Sequence, residues 1–521
     1  MTATSLGFTR IAEMLSLELA QPLFTRSTLG TRNHTEMHRA TELRSWTQQY
    51  KPNDTFRGHF EFGLKYERLN FEFLSRVFET VDPQEIVNWL HESPTGSYAR
   101  RTAFLYEWFT GKELDAPSTA ANVGYVDAID PHLYMTSLRP VNIRRWKVRQ
   151  NLPGPRSYCP MVYLGPEGDR DWIYDAQAGV NRLNNTFGAD LLLRSTLWLT
   201  MKESRASFTI EHEQDHNDRV KRFATAIGEL SGKMDDPLCE DGLMKLQTAI
   251  LGNFALRLGI RQSPVFVGQS SYLGQVVHYI APPPGVVQEM LQALRDFEQH
   301  TRGANSIARA AALSFAFVYL HPLSDGNGRV HRFLLNHYLA ADGVVPPNII
   351  IPVSATIAGS AAGRAEYDRV LESFSRPLMR ICEGGYDFSK SHVYPDGVKS
   401  DLNFDADSNA LHAWRYPDLT THVRYFSELL KITVEQEMAQ EAAALRDNDV
   451  AREAIKQIVE MPDIDADRII SSLRSNSWSI SGKLRRDQPA IFSADGRLHH
   501  LQDQIVEAVR NAIPDADKAG K

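Results

Sequence analysis

The sequence has little cysteine and no long uninterrupted hydrophobic run. Its 521 residues include three cysteines, Cys159, Cys239 and Cys382, and none belongs to a CxxC pair. This excludes a disulfide framework and a cysteine-based zinc cluster, and it fits a reducing compartment. The longest apolar run, at residues 310–320, is too short to span a bilayer, and the first residues lack a continuous signal-peptide core. We therefore expect a cytoplasmic protein with no membrane partner.

An excess of charge of either sign is also missing. The formal net charge is −7, with charged residues at 23% and hydrophobic residues at 42% of the chain. This composition supports a sizeable core, and the length predicts two to four domains. A negative net charge argues against nucleic-acid binding by bulk electrostatics. The GxxxxGK(S/T) motif is absent from the sequence, which argues against a P-loop nucleotidase.

One short stretch concentrates the residues able to perform chemistry. Residues 321–332 read His-Pro-Leu-Ser-Asp-Gly-Asn-Gly-Arg-Val-His-Arg. Residues 304–320 are apolar on nearly every face and predict a buried helix, which Pro322 ends. From Val330 the apolar residues resume with the i, i+3, i+4 spacing of a second, amphipathic helix. The other face of this helix carries Arg329, Arg332 and Asn336.

The turn between these two helices is a candidate anion site. Backbone N–H groups in the first turn of a helix lack intrahelical partners, and together with the helix dipole they favour phosphate. Arg329 and Arg332 lie one turn apart and can supply bidentate contacts to further phosphate oxygens. Asp325 can hold a magnesium ion that binds phosphate, and His321 can take up a proton near neutral pH.

These twelve residues resemble the signature of the Fic family, HPFx(D/E)GNGRxxR, with Leu323 in place of the usual phenylalanine. The resemblance implies an all-helical core that transfers AMP from ATP, with Mg²⁺, to a Ser, Thr or Tyr hydroxyl of a target protein. It implies that His321 is the general base and Asp325 the metal ligand. The nucleotide-binding residues that it implies are Gly326, Asn327, Gly328, Arg329 and Arg332. Other nucleotide donors stay open.

A second motif lies upstream of the first. Regulated Fic proteins carry (S/T)xxxE(G/N), and Ser207-Phe-Thr-Ile-Glu211 resembles it, with His212 at the last position. A carboxylate paired with Arg332 would withdraw that arginine from the terminal phosphate of ATP and add negative charge there. We therefore expect Glu211 to hold the enzyme in a low-activity state. The same glutamate can instead orient water for removal of AMP, and the sequence does not separate the two.

Two other patterns point to functions of different classes. The segment from His212 through Glu213 to His216 fits HExxH, a zinc-peptidase pattern, but its flanks are polar and no distinctive third ligand follows. Residues 480–486 form a locally basic patch of the kind that a non-catalytic DNA-binding regulator would use. A solvated helix face is the simpler interpretation of each pattern. The expected partner is a target protein rather than nucleic acid, and a homo-oligomer is left open.

The remaining pattern predicts a mostly α protein with a central Fic-like core. We predict an N-terminal helical region at 1–114, an irregular connector with short strands at 115–199, an inhibitory helix and lead-in at 200–239, the catalytic core at 240–385 and a C-terminal helical region at 386–521. Strand-like residues at 265–268 and 274–280 predict a β-hairpin before the motif. In the Fic family this hairpin is a flap over the active site, and an exposed strand edge can align an extended target segment.

Overall fold

The computed structural model describes residues 4–38, 41–119, 122–166, 172–211, 217–252, 257–271, 274–346, 348–405 and 408–513. Within these ranges helices predominate, which confirms a mostly α protein. The chain divides into two compact units. The first comprises Met1–Tyr174, Glu203–Pro347 and Val353–Leu430, and the second comprises Asp175–Lys202, Asn348–Pro352 and Lys431–Lys521.

The N-terminal part of the first unit combines helices with a small sheet. Its elements are β1 (Ser5–Leu6), α1 (Gly7–Met14), β2 (Thr25–Leu29), β3 (His34–His38), β4 (Thr41–Trp46), α2 (Phe56–Tyr66), α3 (Phe71–Thr80), α4 (Pro83–Glu92) and α5 (Ser97–Thr110). The strand order is β1-β2-β4-β3, with β2 parallel to β4. The sheet lies where the pattern predicts helix. The buried residues of β2 are Thr25 and Ser27, so no alternation of apolar residues marks this strand.

Capping and terminating residues mark the ends of two helices in this part. Asp82 caps α4, accepting a hydrogen bond from the N–H of Gln84, and Pro83 occupies the first helical position. Gly111 ends α5 with a left-handed conformation, φ +69°. Arg100 is buried in α5 and donates to backbone carbonyls, including that of Gly124 at 3.0 Å. Its role is therefore structural.

The connector contains short strands, as expected, together with a helix that the pattern does not predict. Its elements are β5 (Val126–Asp127), β6 (Val141–Ile143), β7 (Val148–Gln150), α6 (Ala176–Phe187) and α7 (Ala189–Ile210). The strands form one sheet in the order β5-β7-β6. Asp175 caps α6 by accepting from the N–H of Ala178. Ser207 lies in the last turns of α7, and Glu211 directly follows the end of this helix.

The site is built from the helices and the hairpin that come next. These elements are α8 (Asn217–Leu230), α9 (Glu240–Leu251), β8 (Phe266–Ser271), β9 (Gly274–Ile280), α10 (Pro284–His300), α11 (Ser306–Leu320), α12 (Asn327–Ala341), α13 (Val353–Ala358) and α14 (Ala361–Ile381). The predicted hairpin is present as the antiparallel pair β8–β9. Asn305 caps α11, whose residues are buried on nearly every side. This buried helix is the rigid support of the loop that follows it.

Short strand pairs and further helices complete the chain. They are β10 (Tyr386–Asp387), β11 (His392–Val393), β12 (Lys399–Ser400), β13 (Asn403–Phe404), α15 (Ser408–Arg415), α16 (Thr420–Ile432), a π-helical stretch (Thr433–Met438), α17 (Ala439–Ile458), α18 (Asp463–Ser475), α19 (Gly482–Asp487), α20 (Pro489–Phe492) and α21 (Gln502–Ala512). The second unit has its own hydrophobic cluster around Ile455, Ile469 and Val509. Across the described ranges, no helix is long and apolar enough to cross a membrane.

Candidate active site

His321 is placed by the end of α11 in a conformation that few residues with a Cβ adopt. Its backbone is left-handed, with φ 50° and ψ 55°. The ring Nδ1 lies 3.1 Å from the carbonyl oxygen of Val318. Because a carbonyl oxygen can only accept, this bond requires the proton on Nδ1 and leaves the lone pair on Nε2. Burial, aided by the charge of Arg261, lowers the pKa of His321 to about 4, so the ring is neutral at pH 7.

The turn after His321 is held by its own side chains and by α9. Gly326 has φ +87°, and a Cβ there would lie 3.3 Å from Leu251 Cδ1. The amide of Asn327 closes the turn, since Oδ1 accepts from the N–H of Leu323 at 3.0 Å and Nδ2 donates to the Leu323 carbonyl at 2.7 Å. Gln247 of α9 donates to the carbonyl of Asp325 at 3.0 Å. The Asn327 side chain therefore shapes the anion turn from within.

The polar face of α12 is covered rather than open to solvent. Arg329, Arg332 and Asn336 are only 2–3% exposed, which corrects the amphipathic interpretation. Arg332 Nε donates to Ser207 Oγ at 2.7 Å, and its Nη2 contacts the Glu211 carboxylate at 2.5 Å. The Arg329 guanidinium lies 5.0 Å from the centroid of the Phe208 ring. The spacing of Arg329, Arg332 and Asn336 predicts that they share one face of α12. It does not predict that α7 packs against that face.

Glu211 extends from the end of α7 to the first turn of α12. Burial disfavours its charge, but Arg332, followed by Arg329 and His321, outweighs that effect and lowers the pKa of Glu211. A Cβ at Gly328 would lie 2.0 Å from Glu211 Oε1, so only glycine leaves room for the carboxylate there. An ionised carboxylate thus lies against the turn whose N–H groups favour phosphate. The structure thus brings Ser207 and Glu211 against Arg332, and Glu211 against Gly328, within the motif at 321–332.

Asp325 is the candidate magnesium ligand of this turn. Its side chain is 56% exposed and lies 3.6 Å from Arg329 Nη2. Magnesium commonly takes one or two protein carboxylates and completes its shell with phosphate oxygens and water. An accessible carboxylate beside a phosphate turn fits that pattern. No group of three or more His, Cys, Asp or Glu side chains suited to a metal ion occurs within the part of the chain that the structure describes.

Of the two patterns that suggest alternative functions, one lies outside the described residues and the other lies on an exposed helix. Residues 212–216, which contain the His212-Glu213-His216 pattern, lie outside the described ranges. The basic patch coincides with α19, on which Lys483, Arg485 and Arg486 are exposed. A solvated helix explains that exposure.

Two residues at the site lie outside both sequence motifs and were not predicted. Arg261 is 1% exposed and donates from Nε to the carbonyl of His321 at 2.7 Å. Nothing in the spacing or type of its neighbours in the sequence marks it. Glu203 is fully buried in α7 and accepts from the N–H of Ser354 at 2.6 Å. Its spacing of four residues before Ser207 was the available clue, since such residues share a helix face.

Part of the chain is similar in sequence to known proteins. Residues 237–339 match the Fic/DOC family. Protein adenylyltransferase fic-1 of Caenorhabditis elegans is 30% identical over 163 residues, which cover 30% of this chain and 28% of that protein. A probable protein adenylyltransferase of Aquifex aeolicus (strain VF5) is 24% identical over 178 residues, covering 30% of this chain and 53% of that protein. A crystal structure of a Fic family protein from Desulfovibrio desulfuricans G20 aligns with 18% identity and a TM-score of 0.34, covering 54% of this chain and 77% of that chain.

The extent of the match defines what is shared. The chain spans less than a third of the C. elegans relative and about half of the Aquifex relative. The matched segment contains α9, the hairpin, α10, α11, the turn after His321 and nearly all of α12. The similarity to Fic family proteins is therefore carried by residues 237–339 of the chain.

Proposed function

We propose that the chain is a protein adenylyltransferase, which transfers AMP from ATP to a Ser, Thr or Tyr hydroxyl of a target protein. The observation that carries this proposal is the neutral imidazole of His321 next to a glycine turn that presents helix N–H groups to an anion. Both features lie inside the segment that matches the Fic/DOC family. The names of the relatives support ATP as donor and a protein as acceptor.

In the proposed reaction, His321 acts through Nε2. This atom accepts the proton of the target hydroxyl while the hydroxyl oxygen bonds to the α-phosphorus of ATP. The bond from the α-phosphorus to the oxygen that bridges to the β-phosphate breaks, and pyrophosphate leaves. The N–H groups at the start of α12 and the guanidinium of Arg332 stabilise the negative charge on the phosphate oxygens. Magnesium held at Asp325 would neutralise further phosphate charge.

We infer that the chain rests in an inhibited state set by Glu211. Its carboxylate engages Arg332 Nη2 at 2.5 Å, and Ser207 Oγ engages Nε of the same guanidinium at 2.7 Å. The carboxylate also lies against Gly328, where a phosphate would bind. Two anions cannot share this space without strong repulsion, so Glu211 opposes the binding of the outer phosphates. Removal of AMP from modified protein would use the same glutamate to orient water.

Labelled ATP tests the reaction. In a Glu211→Gly chain, label on the α-phosphate is expected to become covalently attached to protein, whereas label on the γ-phosphate is not. Adding His321→Ala is expected to reduce transfer by about 100-fold or more, because a general base contributes on the order of 10² to 10⁴ in rate. His300→Ala, at the end of α10, is the matched control and should retain transfer.

Three results would contradict the proposal in different ways. Incorporation of the γ-label would indicate a kinase, and full transfer by the His321→Ala variant would remove the base assignment. Release of labelled AMP from modified protein by the chain with Glu211 intact, but not by Glu211→Gly, would assign removal of AMP instead. Excess unlabelled GTP, CTP or UTP in the same assay tests the choice of nucleotide.

A further inference from the structure

We propose that Arg261 is the positioning residue of this site, and that it joins the loop of His321 to both ends of the β8–β9 hairpin. This inference rests on the proposed function, because it assigns Arg261 a role in presenting the base and the flap together. The family signature at 321–332 does not include this residue.

The guanidinium of Arg261 donates to backbone carbonyls on three segments. Nε donates to His321 at 2.7 Å, Nη1 to Ser263 at 3.0 Å, and Nη2 to Pro282 at 2.7 Å. Ser263 precedes β8 and Pro282 follows β9, so these two residues flank the open end of the hairpin. The planar guanidinium of Arg261 therefore links the segment before β8, the segment after β9 and the loop of His321.

The backbone around Arg261 strengthens the same connection. The N–H of Arg261 donates to the carbonyl of Pro322 at 2.9 Å, and Ile260 forms an antiparallel bridge with Leu323. Main-chain and side-chain bonds thus hold residues 260–263 against residues 321–323. The loop that carries His321 cannot move away from the open end of the hairpin without breaking several of these bonds.

The backbone conformation of His321 explains why the hydrogen bond from Arg261 is needed. A left-handed backbone is unfavourable for a residue with a Cβ, and carbonyls at a helix C-terminus lack intrahelical partners. The bond from Arg261 Nε satisfies the His321 carbonyl in that conformation. Without this bond the peptide is free to relax, and the ring would leave the position set by Val318.

The charge of Arg261 gives an independent way to observe the contact. A guanidinium close to an imidazole disfavours protonation of the ring, whereas Glu211 and the Val318 carbonyl favour it. Removing the Arg261 charge is therefore expected to raise the pKa of His321. Replacing it with lysine keeps the charge but removes the fork that reaches carbonyls on three segments.

The test compares Arg261→Lys and Arg261→Met in the Glu211→Gly chain. Both variants are expected to lower kcat for transfer by about 10-fold to 100-fold, the cost of misplacing a catalytic group by about 1 Å. The KM for ATP is expected to stay within about 2-fold, because the Arg261 side chain makes no hydrogen bond to residues 324–328 of the turn. NMR titration of the His321 ring should show a raised pKa in Arg261→Met and a pKa near the parent value in Arg261→Lys.

Arg309 supplies the matched control. It is also a buried arginine, on α11 itself, and its Nη1 pairs with Asp342 at 2.6 Å. Arg309→Met should lower the unfolding temperature while leaving the His321 titration unchanged. An unchanged His321 pKa in Arg261→Met, or an equal loss of kcat in Arg309→Met, would overturn the assignment. The NMR titration needs no turnover, so it separates a failure here from a failure of the proposed function.

Discussion

At the scale of single residues, the contact between Glu211 and Arg332 makes a direct prediction. Glu211→Gly is expected to increase ATP affinity and self-modification by about 10-fold or more, because a charge-assisted pair of about 1.4 kcal/mol or more is removed. Calorimetric titration with Mg-ATP and incorporation of the α-label measure the two effects. Thr209→Ala is the control, since Thr209 is an exposed residue on the same helix and alanine preserves the helix. Equal ATP affinity of the parent and Glu211→Gly would contradict inhibition by this residue.

Residues with distinctive chemistry were the ones that the sequence could identify. His321, Asp325 and the two glycines after it stand in a continuous motif, and Glu211 stands in a second motif at a fixed spacing. Arg261 escaped detection because its partners are backbone carbonyls, which every residue has. A side chain that recognises only main chain leaves no pattern of partner types in a sequence.

At the scale of elements, the hairpin contacts a residue beyond the matched segment. The Phe266 ring of β8 packs edge-on against Phe388, with 5.2 Å between ring centroids. We predict that Phe388→Ala increases amide hydrogen exchange in β8 and β9 while leaving α11 and α12 unchanged. Val393→Ala on β11, where the side chain is 73% exposed, is the control. Unchanged exchange in the hairpin after Phe388→Ala would show that this ring does not support it.

Elements were predictable wherever apolar period and capping residues agreed. The helix α11 combines a run of apolar residues with the cap Asn305, and α4 begins at Asp82-Pro83. The sheet of β2, β3 and β4 was not predictable, since β3 is exposed throughout and β2 buries hydroxyl side chains. The burial of Arg329 and Arg332 also depends on a distant helix, and such packing is a property of the tertiary structure.

At the scale of the whole molecule, buried titratable groups make the stability depend on pH. Burial lowers the pKa of His331 and His422 to about 3 and that of His337 to about 4. The unfolded chain binds protons at these histidines below about pH 6.5, so their contribution to stability is lost as the pH falls from there towards about 3. Acid is therefore expected to destabilise the fold at pH values above those at which carboxylates with ordinary pKa values are protonated.

Glu203 contributes a slope of the opposite sign. Burial raises its pKa to about 7, so stability from its protonated form is lost as the pH rises from about 4.5 to about 7. We predict that the unfolding temperature of Glu203→Gln, relative to the parent chain, rises between pH 5 and pH 8. The underlying effect is at most about 1.4 kcal/mol per pH unit. Glu229→Gln, an exposed carboxylate on α8, should show no such trend. A constant difference for Glu203→Gln would refute the prediction.

The close approach of Gly328 and Glu211 limits how the proposed inhibition can be lifted. A side chain at position 328 would meet Oε1 of Glu211, but it would also fill the proposed phosphate position. On this proposal, substitution at Gly328 cannot release Arg332 without damaging the proposed nucleotide site. Relief of the proposed inhibition then requires movement of Glu211, by displacement of the last turn of α7. An activating protein or modification is thus expected to act on α7 and to leave the signature sequence untouched.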